Sequence, residues 1–152
     1  SNYVSYSHSI KNNKIYRIKV RATRTFDSVY NQGLDTETTS WNEQYLFTQP
    51  TVSYAKLAKG KLKIKWNKIS GVTSYDVYVS TKKSSGYKKV KTLKAKKNSC
   101  VIKKFKKKKL KKKKYYVYVV PNKKVNGKVI KKDVTYVYAV KKGTTSTTEE
   151  YK

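Results

Sequence analysis

The clearest alternation in the chain runs up to Trp66. Leu62, Ile64 and Trp66 interleave with Lys61, Lys63 and Lys65. A period of two with one apolar side specifies a half-buried strand. Tyr75, Val77 and Val79 repeat the pattern against Asp76 and Tyr78, and Val90 and Leu93 mark a further strand within residues 87–95. Cys100 and Ile102 begin a fifth, Tyr116, Tyr118 and Val120 form a sixth, and residues 134–140 the last. An edge strand over residues 51–57, after Pro50, completes a set of seven. Lys59-Gly60, Ser70-Gly71 and Ser84-Ser85-Gly86 punctuate them as turns. Asn126-Gly127 between Val125 and Lys128 is the signature of a two-residue hairpin. No segment reads as a helix. Residues 103–114 hold ten lysines with Phe105 and Leu110. Like charges four apart repel on a helix, and two apolar residues are too few to dock one. This run is expected to be a solvated edge and loop.

Part of the pattern is written twice. Ile10, Tyr16, Ile18, Val20 and Ala22 are spaced like Leu110, Tyr116, Tyr118, Val120 and Asn122, 100 residues later. A repeat of that length is the size of one β-sandwich domain. The expected fold class is therefore all-β, with one complete domain over residues 50–140. The C-terminal strands of another precede it over residues 1–49, and a Thr-rich linker or tail follows over residues 141–152. The chain contains no Met and opens on Ser1-Asn2, which reads as a piece of a longer modular protein.

Composition narrows the class. The apolar content is 37% and there are 15 Tyr, a mixture that favours strands. No run of 18 apolar residues occurs, so no helical membrane insertion is expected, and no signal peptide is visible at the start. The one cysteine, Cys100, allows no internal disulfide and falls in an apolar strand pattern. The net charge is +30, and it is uneven. Residues 1–50 hold six basic and four acidic residues, whereas residues 51–152 hold 32 and four. Two copies of one pattern with such different charge place the lysines on the surface, not in the requirements of the fold. Such a surface repels copies of itself and attracts polyanions. Every basic residue after Arg24 is lysine, a hydrated point charge that reads field strength more than shape.

The motif residues also carry a family resemblance. Gly60-x-Leu62-x-Ile64-x-Trp66, Ser70-Gly71-Val72-Thr73-Ser74-Tyr75-x-Val77-Tyr78-x-Ser80, Gly86-Tyr87-Lys88-Lys89-Val90 and Leu110-x5-Tyr116-x-Tyr118-x-Val120 together resemble a bacterial fibronectin type III domain. Such domains are strung along cell-surface and secreted proteins of Gram-positive bacteria. The resemblance covers residues 51–140, and residues 3–49 resemble the last three strands of a preceding copy. It implies an immunoglobulin-like β-sandwich of three strands facing four, with Tyr16 and Tyr116 at the tyrosine-corner position. Lysines replace the Pro-Gly or Gly usual before the corner tyrosine, and no Arg-Gly-Asp triplet is present. The implied location is extracellular or cell-wall associated, and the implied partners include neighbouring domains of the same polypeptide.

The inventory of reactive side chains is thin. His8 is the only histidine, and it alternates with Tyr6 and Ile10 as a packing or edge residue would. No Ser-His-acid set and no His or Cys cluster for a metal can be assembled around it. Asp76 and Asp133 fall at outward or strand-start positions, and Glu149 and Glu150 in the polar tail. The expectation is no enzyme, no metal and no cofactor. Two binding candidates remain. The first is a polyanion site of Lys103, Lys104, Lys106, Lys107, Lys108, Lys109, Lys111, Lys112, Lys113 and Lys114. Its expected partner is an anionic cell-wall polymer or acidic glycan, and it has no shaped pocket. Nucleic acid is disfavoured, since the second domain lacks arginine and a recognised nucleic-acid motif. The second candidate is Trp41, outward beside Arg17 and Arg21, as a cation–π stack of roughly 0.5–1 kcal/mol or a sugar platform. The expected function is a non-catalytic spacer or adhesive module, with a dedicated carbohydrate- or nucleic-acid-binding module as the alternative.

Overall fold

The computed structural model of the chain describes residues 7, 9, 11, 13–27, 33–142 and 147–151. His8, Tyr6 and Ile10 lie outside the described residues, so the expectation for His8 does not meet the structure. The chain is all-β, and no helix occurs among the described residues. It divides into two compact units: residues 1–15 with 47–152, and residues 16–46.

The smaller unit is built from β1 (Ile15–Val20), β2 (Thr23–Asp27), β3 (Leu34–Thr38) and β4 (Asn42–Phe47). They form two separate two-stranded ladders, β1 with β4 and β2 with β3. This corrects the expected three strands. It also corrects the inward side that the alternation of Tyr16, Ile18 and Val20 with Arg17, Lys19 and Arg21 implies for them, because Ile18 is 45% and Val20 61% exposed. A lone ladder has no second sheet to bury a face against. Arg24–Glu37 at 3.3 Å and Lys19–Glu43 at 3.4 Å add surface ion pairs, which contribute little in water.

The larger unit is sandwich-like. Its strands are β5 (Val52–Ala58), β6 (Lys61–Trp66), β7 (Ser74–Ser80), β8 (Lys88–Lys94), β9 (Ser99–Ile102), β10 (Lys104–Phe105), β11 (Lys108–Lys109), β12 (Tyr115–Val125), β13 (Lys128–Lys131), β14 (Tyr136–Val140) and β15 (Thr147–Glu150). One sheet has the order β5-β6-β9, and the other β15-β14-β12-β7-β8, with β13 on the far half of β12. The ladders between these strands are all antiparallel. Leu62, Ile64 and Trp66 enter the core from one sheet, and Tyr75, Val77, Val79, Tyr115, Val117 and Val119 from the other. Trp66 is fully buried and meets Tyr75 edge-on, with ring centroids 5.5 Å apart. Fully burying an aliphatic or aromatic side chain stabilises by about 1.5–3 kcal/mol, so this set dominates the folding energy.

The parity of β12 is shifted by one from the expectation. Tyr118 and Val120 are buried, but against the outer face with Val137, Tyr78, Tyr87, Tyr116, Val134 and Tyr151. Tyr116 is only half-buried. Residues 115–120 are apolar or aromatic at both parities, so alternation cannot choose a face there. The hydrogen bond to upstream backbone falls on Tyr115: the Lys111 amide, four residues upstream of the ring, donates to Tyr115 Oη at 3.1 Å.

Two further expectations are corrected. The tail contains β15, whose Thr147 to Glu150 pair with Ala139 to Tyr136 of β14. The run 103–114 is a loop with inward anchors: Phe105 and Leu110 are both buried in the main core. Between β10 and β11, Lys106 and Lys107 take φ of 49° and 63°, the primed-turn geometry that a tight hairpin requires. Asn126 and Gly127 adopt the same signs of φ between β12 and β13, as their sequence predicts.

Candidate functional site

The lysine run owes its shape to its few apolar residues. Phe105 packs edge-on to Tyr115, with ring centroids 6.2 Å apart, and Leu110 holds the return strand down. Between these anchors the chain must turn outward. Lys103, Lys104, Lys106, Lys107, Lys108, Lys109, Lys111, Lys112, Lys113 and Lys114 are all exposed. The structure therefore brings the sequence-predicted lysines together on one end of the unit. They surround an open recess. The recess of about 260 Å³ is lined by Thr81, Phe105 and Tyr115 with Lys106, Lys108, Lys109, Lys111 and Lys113. Five ammonium groups and no acid line it.

Lys114 is different from its neighbours. Its Nζ lies 3.0 Å from Glu149 Oε1 and 4.9 Å from the Tyr116 ring centroid. The hydrogen bond to Glu149, then that to Tyr116, holds its pKa above the usual lysine value. It is already compensated, whereas the recess lysines make no ion pair among the described residues.

Among the described residues, the buried charged side chain is Asp76. Alternation does place it on the outer side of β7, yet it is 2% exposed. Lys89 and Lys131 reach its Oδ2 at 3.6 and 3.5 Å, and Thr92 Oγ1 donates to its Oδ1 at 2.5 Å. Burial opposes its ionisation. The hydrogen bonds from Thr92 and Asn122 and the two ammonium charges outweigh that, so its pKa lies below the usual Asp value. Sequence reasoning missed this buried acid because its cover comes from β8 and β13, far along the chain. Burial also acts on Cys100, whose pKa is pushed up to about 11. That thiol is protonated at neutral pH and is no nucleophile.

In the smaller unit, Arg21 lies over Trp41 with its Cζ 4.6 Å from the ring centroid. Trp41 stays 53% exposed. Arg17 is not in that stack. It adds its charge to the Tyr45–Glu43 pair, in which Tyr45 Oη donates to Glu43 Oε1 at 2.6 Å. Trp41 thus has one face taken by a guanidinium supplied from the same unit.

Among the described residues, no group of three or more His, Cys, Asp or Glu could hold a metal, and no helix is long and apolar enough to cross a membrane. No protein-family model matches the chain, and no curated protein matches it. Among solved structures, a crystal structure of the pectate lyase Pel3 from Pectobacterium carotovorum matches with 19% identity and a TM-score of 0.42. The match covers 57% of this chain and 24% of that one. This chain thus spans about a quarter of the length of the solved chain it matches. The expectation that the chain is not an enzyme is withdrawn on this finding, because a solved chain with some likeness to it is an enzyme. At that TM-score the likeness carries no activity over to this chain.

Proposed function

We propose that the chain is a fibronectin type III-like module of a bacterial cell-surface or secreted protein, extracellular or wall-associated. Its role is that of a spacer whose lysine-rich surface adheres to anionic wall polymers or acidic glycans. The order β5-β6-β9 against β14-β12-β7-β8 supports the fold reading, since it is the three-against-four arrangement of such sandwiches. The Tyr115 hydrogen bond to the backbone upstream is the accompanying corner. Residues 16–46 fit the end of a preceding copy. There β1 pairs with β4 and β2 with β3, as β12 pairs with β14 and then with β13. Neighbouring domains of the same polypeptide are then natural partners.

The observation that carries the binding role is the recess of Lys106, Lys108, Lys109, Lys111 and Lys113, which holds five cations and no acid. Ammonium groups with no acid beside them, two of which (Lys106 and Lys113) lie over the Phe105 and Tyr115 rings, attract an anion and release its counterions. Binding should therefore fall steeply with salt. The test is retention of the chain on columns carrying a teichoic-acid-like polymer, heparin or DNA, measured against salt. Changing Lys106–Lys109 and Lys111–Lys114 to Gln should weaken retention on all three together while the circular dichroism is unchanged. Unchanged retention would reduce these lysines to a solubilising coat.

A further inference from the structure

The three-stranded sheet has a second, outward face. It carries Tyr54 and Lys56 on β5, Lys61, Lys63 and Lys65 on β6, and Ser99 and Val101 on β9, all exposed. The ladders set its grid. Tyr54, Lys65 and Ser99 form one cross-strand row, and Lys56, Lys63 and Val101 the next. Lys56 therefore sits directly opposite Lys63, an arrangement that weakens a sheet by repulsion. No Asp or Glu occurs on these three strands. None of the four lysines makes an ion pair among the described residues. The larger unit's acids lie elsewhere, at Asp76 on β7, at Asp133 before β14, and at Glu149 and Glu150 on β15. The two sheets thus differ in charge: one carries lysines with acids among them, the other lysines alone.

The strand spacing sets the distances between these charges. Alternate residues on a strand stand about 7 Å apart, and neighbouring strands about 4.8 Å. Lys61, Lys63 and Lys65 make a row at that spacing, with Lys56 at its side. A row of regularly spaced charges suits a linear polymer with regularly repeated charges, and lysine asks nothing of the polymer's shape. Single-stranded nucleic acid is held by stacking its bases on aromatic platforms. This face offers one aromatic ring, Tyr54, 44% exposed. We infer that the outer face of β5-β6-β9 is a second polyanion-binding site, whose ligand is an extended polyol phosphate chain lying along β6. The inference rests on the adhesive reading above, but it assigns the grip on polymer to Lys56, Lys61, Lys63 and Lys65 in addition to the recess.

The experiment measures binding of the full chain to poly(glycerol phosphate) by calorimetry across a range of sodium chloride. One variant changes Lys56, Lys61, Lys63 and Lys65 to Gln, and another changes the recess lysines. At about 0.7 for each neutralised phosphate of a single strand, the face variant should flatten the slope of log affinity against log salt by about 3. Its affinity at low salt should fall at least tenfold, and the recess variant should lose affinity independently. An unchanged slope in the face variant with a loss in the recess variant would overturn this inference and leave the adhesive reading standing. No binding by the unmodified chain would overturn both. Tighter binding of oligothymidylate, lost on Tyr54→Ser, would overturn the choice of ligand. Lys63→Glu separates binding from folding. It should raise the melting temperature by relieving repulsion from Lys56, Lys61 and Lys65, while lowering affinity. A fall in both would mean that Lys63 serves the fold, and would overturn the assignment.

Discussion

Strand β1 and the first half of β12 carry matching side chains and meet opposite fates. Ile18 and Val20 are 45% and 61% exposed, whereas their counterparts Tyr118 and Val120 are 8% and 6% exposed. The side chains do not account for the difference. β12 lies between β7 and β14, and Tyr87, Val134 and Tyr151 cover its outer face. β1 pairs with β4 alone among the described residues. Alternation chooses which side of a strand is apolar, but burial is supplied by neighbours distant in sequence.

The two tryptophans give that contrast its sharpest test. Trp66→Ala should cost about 3–5 kcal/mol, the range for emptying a core aromatic site. Trp41→Ala should cost no more than about 1 kcal/mol, the value of an exposed cation–π contact. Urea unfolding of both variants measures the gap. Equal losses would mean that Trp41 is a core residue and that the smaller unit is better covered than β1 suggests.

Charge makes a second contrast, between the buried Asp76 and the exposed Glu37. Asp76→Ala should destabilise by about 2–3 kcal/mol, as expected for hydrogen bonds to a charged group. Glu37→Ala should stay within about 0.5 kcal/mol. The sign with pH follows from the lowered Asp76 pKa. Its stabilisation is complete above the unfolded-state value near 4 and is lost as pH falls through the lower folded-state value. Thermal melts from pH 6 down to 2 should show a steeper loss for the unmodified chain than for Asp76→Ala. At the alkaline end, burial beside Tyr151 and Tyr78 pushes Tyr118 up to about 12. Its contribution is present below pH 10 and fades above it.

Adjacent tyrosines sharpen the parity of β12. Tyr115→Phe removes the acceptor of the Lys111 amide and should cost about 1 kcal/mol, whereas Tyr116→Phe should cost less than about 0.5 kcal/mol. The reverse ranking in denaturant melts would mean that Tyr116, not Tyr115, holds the upstream backbone.

The smallest effect compares the two hairpin turns. Asn126-Gly127 is suited to positive φ and Lys106-Lys107 is not. A left-handed conformation costs an L-residue about 1–2 kcal/mol. Lys107→Gly should therefore raise stability by up to about 1 kcal/mol, while Gly127→Lys should lower it. A loss of stability in Lys107→Gly, read from the melting temperature, would show that the turn is not strained.

These comparisons also mark how far the sequence could be read. Leu62, Ile64 and Trp66 were legible because lysines fill every alternate place, leaving one apolar face. Asn126-Gly127 was legible because few residues accept that turn. Residues 115–120 were not, since both faces are apolar and only the partners Tyr87 and Tyr151 show which one lies under the sandwich. Phe105 and Leu110 looked too isolated to matter, yet each is an anchor around which the recess lysines are arranged. The exposed lysine row on β6 was visible in the alternation. Its lack of acids on β5 and β9 required knowing which strands lie beside it.

β15 has a mechanical consequence. Glu150 pairs with Tyr136 at the start of β14, and Thr147 with Ala139 farther along. A pull applied beyond Tyr151 and away from the β14 edge loads the bond from the Tyr151 amide to the Thr135 carbonyl first and then these rungs in turn, so the ladder opens as a zip. Tyr151 leaves with it, uncovering Tyr87 and Tyr118, whose rings it contacts edge-on. Under tension the larger unit would expose an aromatic patch while its core, closed by β14 and β12, stayed shut.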